Sequence, residues 1–339
     1  MDTSDQKAGN KKLSPADLDD YLQNKHPVVS EKYITLGYIT VRIVIRDKAY
    51  LPLIQNQLSF ILSEQTKHHD ATLIVWKLPD NGIPVDPEKP LRVFYECDDS
   101  NRTYYFAASN LEPETFILEG HIFVLMFNRI IHTISTSLSS QCNLVHGAAV
   151  GLDNFGALIC ARGQRGKSTL AVTAMLDGLH YVSDDYLVLE NEKDSLYAYP
   201  IYSIIALSPR MYNTLFDELD GCRFLTNNGR RDKYIINIAP FHHRFKSHYP
   251  IKVGLFPEIV AGSSPAITPC SPQERGRAIN QFAHSTFIQM LRTTPDLSIM
   301  KKLISMVGGL PFYKITLSSD IHANATCLKD FLNQLKTEN

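Results

Sequence analysis

Three short stretches carry residue types that can do chemistry together. The first is Ala161-Arg162-Gly163-Gln164-Arg165-Gly166-Lys167-Ser168-Thr169. A phosphate-binding loop needs backbone N–H groups converging on one concave spot, with a helix N-terminus behind them. Gly163 and Gly166 are expected to supply the curvature, Lys167 a charge for the β- and γ-phosphates, and Ser168 a hydroxyl for Mg²⁺. Arg162 to Thr169 is therefore the candidate nucleotide-binding stretch. The full pattern G-x-x-x-x-G-K-[ST] wants glycine where this chain has Ala161, which is tolerable if the backbone keeps a negative φ there. The second stretch is Val182-Ser183-Asp184-Asp185, ahead of an apolar run. Adjacent carboxylates are costly unless cations or donors face them. One can hold the metal, directly or through water, while the other accepts a proton from an attacking hydroxyl. The third is His146 in LVHGAAV; a lone histidine is usually a packing residue.

These groups work only if strands and a helix hold them. The run 156–161 (GALICA) reads as a buried strand entering the loop, and 168–176 (STLAVTAML) as a helix with Leu170, Ala171, Ala174 and Met175 toward a sheet. The run 181–189 (YVSDDYLVL) reads as the strand next beside the loop. Taken singly, each stretch also has a bland reading, as an ordinary strand-to-helix turn or a surface turn with two acids. Further on, 251–260 and 312–317 read as strands, and 271–291 and 297–307 as helices, with a closing helix behind.

The preceding part is an α+β module. It has strand signals at 33–45, 71–78, 91–97 and 102–108, a helix at 53–62, and a hairpin turn at Asp98-Asp99-Ser100-Asn101. An apolar helix over 115–137 leads into the central stretch; His121 and His132 on it read as packing residues. Residues 1–30 are polar and read as a flexible N-terminus, with a short helix at 15–22. The resulting division is 1–30, an N-terminal domain over 31–139, and a catalytic domain over 140–339.

The chain has 339 residues, 44% hydrophobic and 20% charged, with a formal net charge of −1. That length suits two domains, and that charge supplies no overall field for nonspecific nucleic-acid binding. The six cysteines are widely spaced and offer neither a C-x-x-C pair nor a zinc pattern. With no apolar stretch suited to a signal peptide or a membrane span, a cytoplasmic location is expected. Between Arg223 and Lys252 seven basic residues face one acid, Asp232. This is either a solvated loop or a segment closing over phosphates, with Arg231 and Lys233 the candidates.

In order and spacing, His146-Gly-Ala-Ala-Val150, the loop 161–169 and Val182-Ser-Asp-Asp185 resemble the HPr kinase/phosphorylase family and its HPr-kinase-related branch. Tyr199-Pro200 and Leu207-Ser208-Pro209 fit as later landmarks, and the resemblance spans about residues 140–335. It implies an α/β P-loop kinase domain with a mixed central sheet, using ATP and Mg²⁺. Carried over by position, Lys167 binds the phosphates, Ser168 binds Mg²⁺ with Asp184 near it, Asp185 accepts the hydroxyl proton, and His146 supports Asp185. The acidic signature that the bifunctional enzymes carry, with contacts linked to phosphorolysis, is replaced here by YPIYSIIALSP, a departure that resembles the related branch and leaves a reverse phosphorylase activity open. The acceptor read first is a serine of a protein or peptide. A small-molecule acceptor, or a nucleotide-binding regulatory or scaffold protein that has lost catalysis, are the alternatives. No nucleic-acid or membrane partner is expected, and a homo-oligomer is left open.

Overall fold

The computed structural model describes residues 15–63, 66, 68–78, 93–98, 101–108, 127, 128, 130–135, 141–219, 223–226, 233–287 and 297–338. The chain divides into two compact units. One is Met1–Ile34 with Thr40–Leu53 and Ser63–Gly120; the other is Thr35–Ile39 with Ile54–Leu62 and His121–Asn339.

The first unit is built on a six-stranded sheet. The element order is α1 (Pro15–Lys25), β1 (Ser30–Leu36), β2 (Ile39–Ile45), α2 (Tyr50–Leu58), β3 (Leu62–Ser63), β4 (Ala71–Lys77), β5 (Val93–Asp98) and β6 (Thr103–Ala108). The sheet runs β3-β1-β2-β4-β6-β5, with β2, β4 and β6 parallel and β5 antiparallel to β6. The strand expected over 33–45 is two strands, because Gly37 takes φ 62, a left-handed value that breaks an extended run. The helix expected at 15–22 extends to Lys25. Its Leu18 and Leu22 are buried with Val44, Ile74 and Trp76, so packed structure begins well before residue 31.

The second unit is built on a mixed nine-stranded sheet. Its elements are β7 (Cys142–His146), β8 (Ala148–Leu152), β9 (Phe155–Ile159), α3 (Lys167–Leu176), β10 (His180–Ser183), β11 (Tyr186–Glu192), β12 (Ser195–Pro200), β13 (Ile204–Leu207), α4 (Pro209–Thr214), β14 (Arg223–Thr226), β15 (Lys233–Asn237), β16 (Tyr249–Ile259), β17 (Ala266–Pro269), α5 (Pro272–Ser285), α6 (Leu297–Gly308), β18 (Phe312–Leu317) and α7 (Ile321–Glu338). The main path is β10-β8-β9-β16-β12-β11-β7; β17 and β18 join on β16, and β13-β15-β14 form a separate small sheet. The mixed α/β architecture is as the sequence suggests. One expectation fails: the stretch 181–189 is two strands, and the neighbours of β9 are β8 and β16, not the strand before the acid pair. Asp184 and Asp185 fall in the turn where the chain leaves β10 for β11 at the far side of the sheet, a crossover that local periodicity does not encode.

The core of this unit joins Val145, Ala149, Leu158, Val182 and Leu187 of the sheet to Phe282 of α5, Leu303 and Val307 of α6, and Phe312 of β18. Of the apolar helix expected over 115–137, the described residues Phe127, Ile130, Ile131 and Ile134 are buried, as its all-round apolar pattern requires. His121, Arg230 and Arg231 lie outside the described residues. Lys233 opens β15. No helix among the described residues is long and apolar enough to cross a membrane.

Candidate functional site

The loop begins where β9 ends. Cys160 N donates to Leu255 O of β16 at 2.8 Å, so the chain stays on the sheet for one more residue before turning. Ala161 is buried and its φ is not in the left-handed region, so its methyl costs the backbone nothing there. The curvature comes from Gln164 at φ 65 and Gly166 at φ 84; Gly163, expected to share that task, keeps an ordinary φ. Gly166 is needed twice over. A side chain is disfavoured at that φ, and a Cβ would stand 2.8 Å from Leu317 Cδ1.

Gly166 is also the N-cap of α3, with no side chain to cap it. The helices α4 and α5 start differently: Ser208 Oγ accepts from Met211 N, and Ser271 forms a reciprocal capping box with Glu274. No side-chain oxygen caps the start of α3, and the helix dipole favours an anion there.

Lys167, only 6% exposed, leads from this helix start to the acid pair. Its Nζ lies 3.4 Å from His146 Nε2, and the same Nε2 lies 2.7 Å from Asp185 Oδ1. The shorter contact decides where the proton sits: we assign Nε2–H as donor to Asp185, which leaves Lys167 as a neighbouring charge. The pair is fixed from several directions. Tyr186 pairs with His146 across β11 and β7, and Gly147 N donates to Asp185 O at 3.0 Å. His146 N donates to Thr286 Oγ1 at 3.2 Å, and that hydroxyl donates to Phe282 O. Gly147 is a close-approach residue, since a Cβ there would meet the Phe282 ring at 3.1 Å.

Asp184 faces a different way. It is 3% exposed; Tyr181 Oη donates to its Oδ1 at 3.0 Å and Ala206 N to its Oδ2 at 3.4 Å. Burial, then the Asp184 charge, pushes the Tyr181 phenol far above its ordinary pKa, so it remains a donor at any working pH. These donors offset the burial of the carboxylate and tie it to β13 of the small sheet. Ser168 Oγ donates to Asp184 O at 3.3 Å, joining the start of α3 to the acid turn.

The residues singled out from the sequence thus fall into three groups. His146, Lys167 and Asp185 are in direct contact, and Ser168 and Asp184 adjoin them. Arg162, Gln164 and Arg165 are exposed along the loop, with Gly163 and Thr169 half-buried. Tyr181, Gly147 and Thr286 escaped sequence reasoning. The glycine directly after His146 is a faint signal of close approach; nothing in the pattern marks the other two.

Among the described residues no three His, Cys, Asp or Glu side chains gather as a metal cluster. Mg²⁺ does not need one, since it takes one or two protein oxygens and fills its shell with phosphate and water. Ser168 gives its proton to Asp184 O, which turns the lone pairs of its hydroxyl away from that bond. This hard-oxygen donor set fits Mg²⁺.

No protein-family model matches the chain, and no curated protein matches it. Among solved structures, the Hpr(Ser) kinase/phosphatase from Coxiella burnetii aligns at 15% identity with a TM-score of 0.30, covering 58% of this chain and 99% of that one. A TM-score that low does not establish a common fold, and function is read from the geometry of the site itself.

Proposed function

We propose that the chain is an ATP- and Mg²⁺-dependent kinase that transfers the γ-phosphoryl group to a hydroxyl, with a serine of a protein or peptide as the acceptor. The observation that carries this is the His146–Asp185 contact at 2.7 Å with Lys167 Nζ 3.4 Å from the same imidazole. A phosphate loop alone supports nucleotide binding. A carboxylate held by a histidine beside the loop lysine adds a base where a terminal phosphoryl group would sit.

The uncapped N–H groups at the start of α3 and the ammonium of Lys167 bind the phosphates. Ser168 and Asp184 would hold Mg²⁺, which would supply positive charge to neutralise the phosphates. His146 holds Oδ1 of Asp185 by its Nε2–H and so turns the other carboxylate oxygen to the acceptor. As the acceptor oxygen bonds to the γ-phosphorus, its proton passes to Asp185 and the bond to the leaving diphosphate breaks. Positioning and charge do most of the work in this kind of transfer, which suits a site assembled from backbone and a few fixed side chains.

The test is incubation of the protein with γ-labelled ATP, Mg²⁺ and an extract of the source cells. Wild type labels a discrete acceptor, Lys167→Ala does not, and acid hydrolysis of the product yields phosphoserine. Nucleotide binding without any labelled acceptor would favour a regulatory protein instead; a labelled metabolite would make it a small-molecule kinase.

A further inference from the structure

The far end of β11 gathers carboxylates and aromatic rings on one face of the sheet. Glu190 of β11 pairs with Tyr197 of β12, so both point the same way, and strand alternation puts Glu192 and Tyr199 on that face too. The register of β12 with β16 ends at Ala198 opposite Tyr249, and one step further His248 stands opposite Tyr199. Those two rings stack with centroids 6.0 Å apart at 22°, and Tyr197 lies 6.4 Å from the same imidazole. Glu192, Tyr197, Tyr199 and His248 line a cavity of about 330 Å³, with Gly37 also in its wall. Gly37 belongs to the segment Thr35–Ile39 of the same compact unit. Because β11 starts at Tyr186 and ends at Glu192, roughly 20 Å of strand separates this cavity from Asp185.

The charge of the wall is of one sign. Tyr199 Oη donates to Glu192 Oε1, which holds that carboxylate beside the ring. Glu190 lies directly behind: it is 1% exposed, and a Cβ on Gly37 would overlap its Oε2. The Tyr38 N–H donates to that oxygen at 3.0 Å, and among the described residues no lysine or arginine forms an ion pair with either glutamate. A buried carboxylate next to a second one is costly without a countercharge. The faces of aromatic rings attract cations, and a carboxylate at their edge adds to that attraction. A hard metal ion wants several oxygens around it, and no such ligand group forms among the described residues. We infer that this cavity binds an organic cation, an ammonium or guanidinium group seated over the Tyr197 and Tyr199 rings and against Glu192. The group is carried either by a free amine or by a lysine or arginine side chain of a peptide.

This inference does not depend on the phosphate site. Calorimetric titration of the full chain at pH 8 with agmatine supplies the free cation, and with acetyl-Ala-Arg-Ala-amide the side chain. At least one should bind with a Kd of about 1 mM or tighter. Agmatine alone assigns the site to a free amine; the peptide, with or without agmatine, assigns it to a side chain. The same peptide with neutral citrulline in place of arginine should not bind. Glu192→Gln removes the charge and Tyr199→Leu the ring, and each should weaken the bound cation about tenfold, while Tyr199→Phe keeps the face and retains binding. Should Tyr199→Leu fail to fold, the isosteric Glu192→Gln decides. Inorganic tripolyphosphate reads the phosphate loop in the same proteins and should bind all of them as it binds wild type. Three results each overturn the inference: neither cation bound at about 10 mM, the citrulline peptide bound as tightly as the arginine peptide, or unchanged affinity in Glu192→Gln.

Discussion

Tyr181 lies on β10 and Asp184 three positions on, in the turn that follows, and their side chains are joined by a hydrogen bond of 3.0 Å inside the protein. Together with the bond from Ala206 N, it gives Asp184 a role that its neighbour lacks: its carboxylate anchors the acid turn to β10 and to the small sheet, and Asp185 projects toward His146. Removing the phenol leaves a buried carboxylate short of a donor, so Tyr181→Phe should lower the stability read in urea unfolding at pH 7 by about 1–3 kcal/mol. An unfolding curve identical to wild type would show that the bond contributes nothing. Gly166→Ala meets a left-handed backbone and the Leu317 side chain together. The backbone cost alone is about 1–2 kcal/mol, and the loop must shift to relieve the contact. Tripolyphosphate binding should fall more than overall stability; unchanged binding would mean that the loop does not use this geometry. At this scale the sequence was legible where the chemistry is local. Lys167 and Ser168 follow their glycine by necessity, but the partner of Asp184 on β13 is 22 residues away and left no pattern.

The element that ties the site to the interior of its unit is β11. It begins beside Asp185, pairs with β7 and β12, and carries Glu190, which is 1% exposed. Burial pushes the Glu190 carboxyl up to about 7; the N–H of Tyr38, in the same compact unit, opposes this, and nearby Glu192 adds to it. A carboxyl raised in this way binds its proton more tightly folded than unfolded. Its neutral form fits the fold, and wild-type stability is lost as pH rises from about 4.5 through about 7. Glu190→Gln should therefore match wild type near pH 4.5 and exceed it above pH 8 by about 1–3 kcal/mol. Equal stability of the two proteins above pH 8 would mean that the carboxylate is accommodated in its charged form. A continuous apolar run after the acid pair announced this strand, and β18 was legible to the residue as 312–317. The break at Ser183 was not, because nothing local distinguishes one strand of nine residues from two strands that join different parts of the sheet.

On the scale of the whole molecule, the second unit is a mixed α/β assembly of strands, loop and helices round one crossing point. The nine-stranded sheet brings the ends of β7, β9 and β10 and the start of β11 together, so residues from 146 to 185 meet although β9 and β11 are not neighbours. With a net charge of −1, the chain offers no general anion-binding field, so the proposed phosphate site must act through local groups. Everything proposed for the reaction depends on Asp185 acting as a base and not as a structural acid. The most direct measurement compares wild type and Asp185→Asn in the same preparation, following γ-phosphoryl transfer to the labelled acceptor and ATP binding by titration. With Asp185 as the base, transfer should fall at least about a thousandfold while ATP affinity changes less than about threefold. Transfer at the wild-type rate in Asp185→Asn would contradict it.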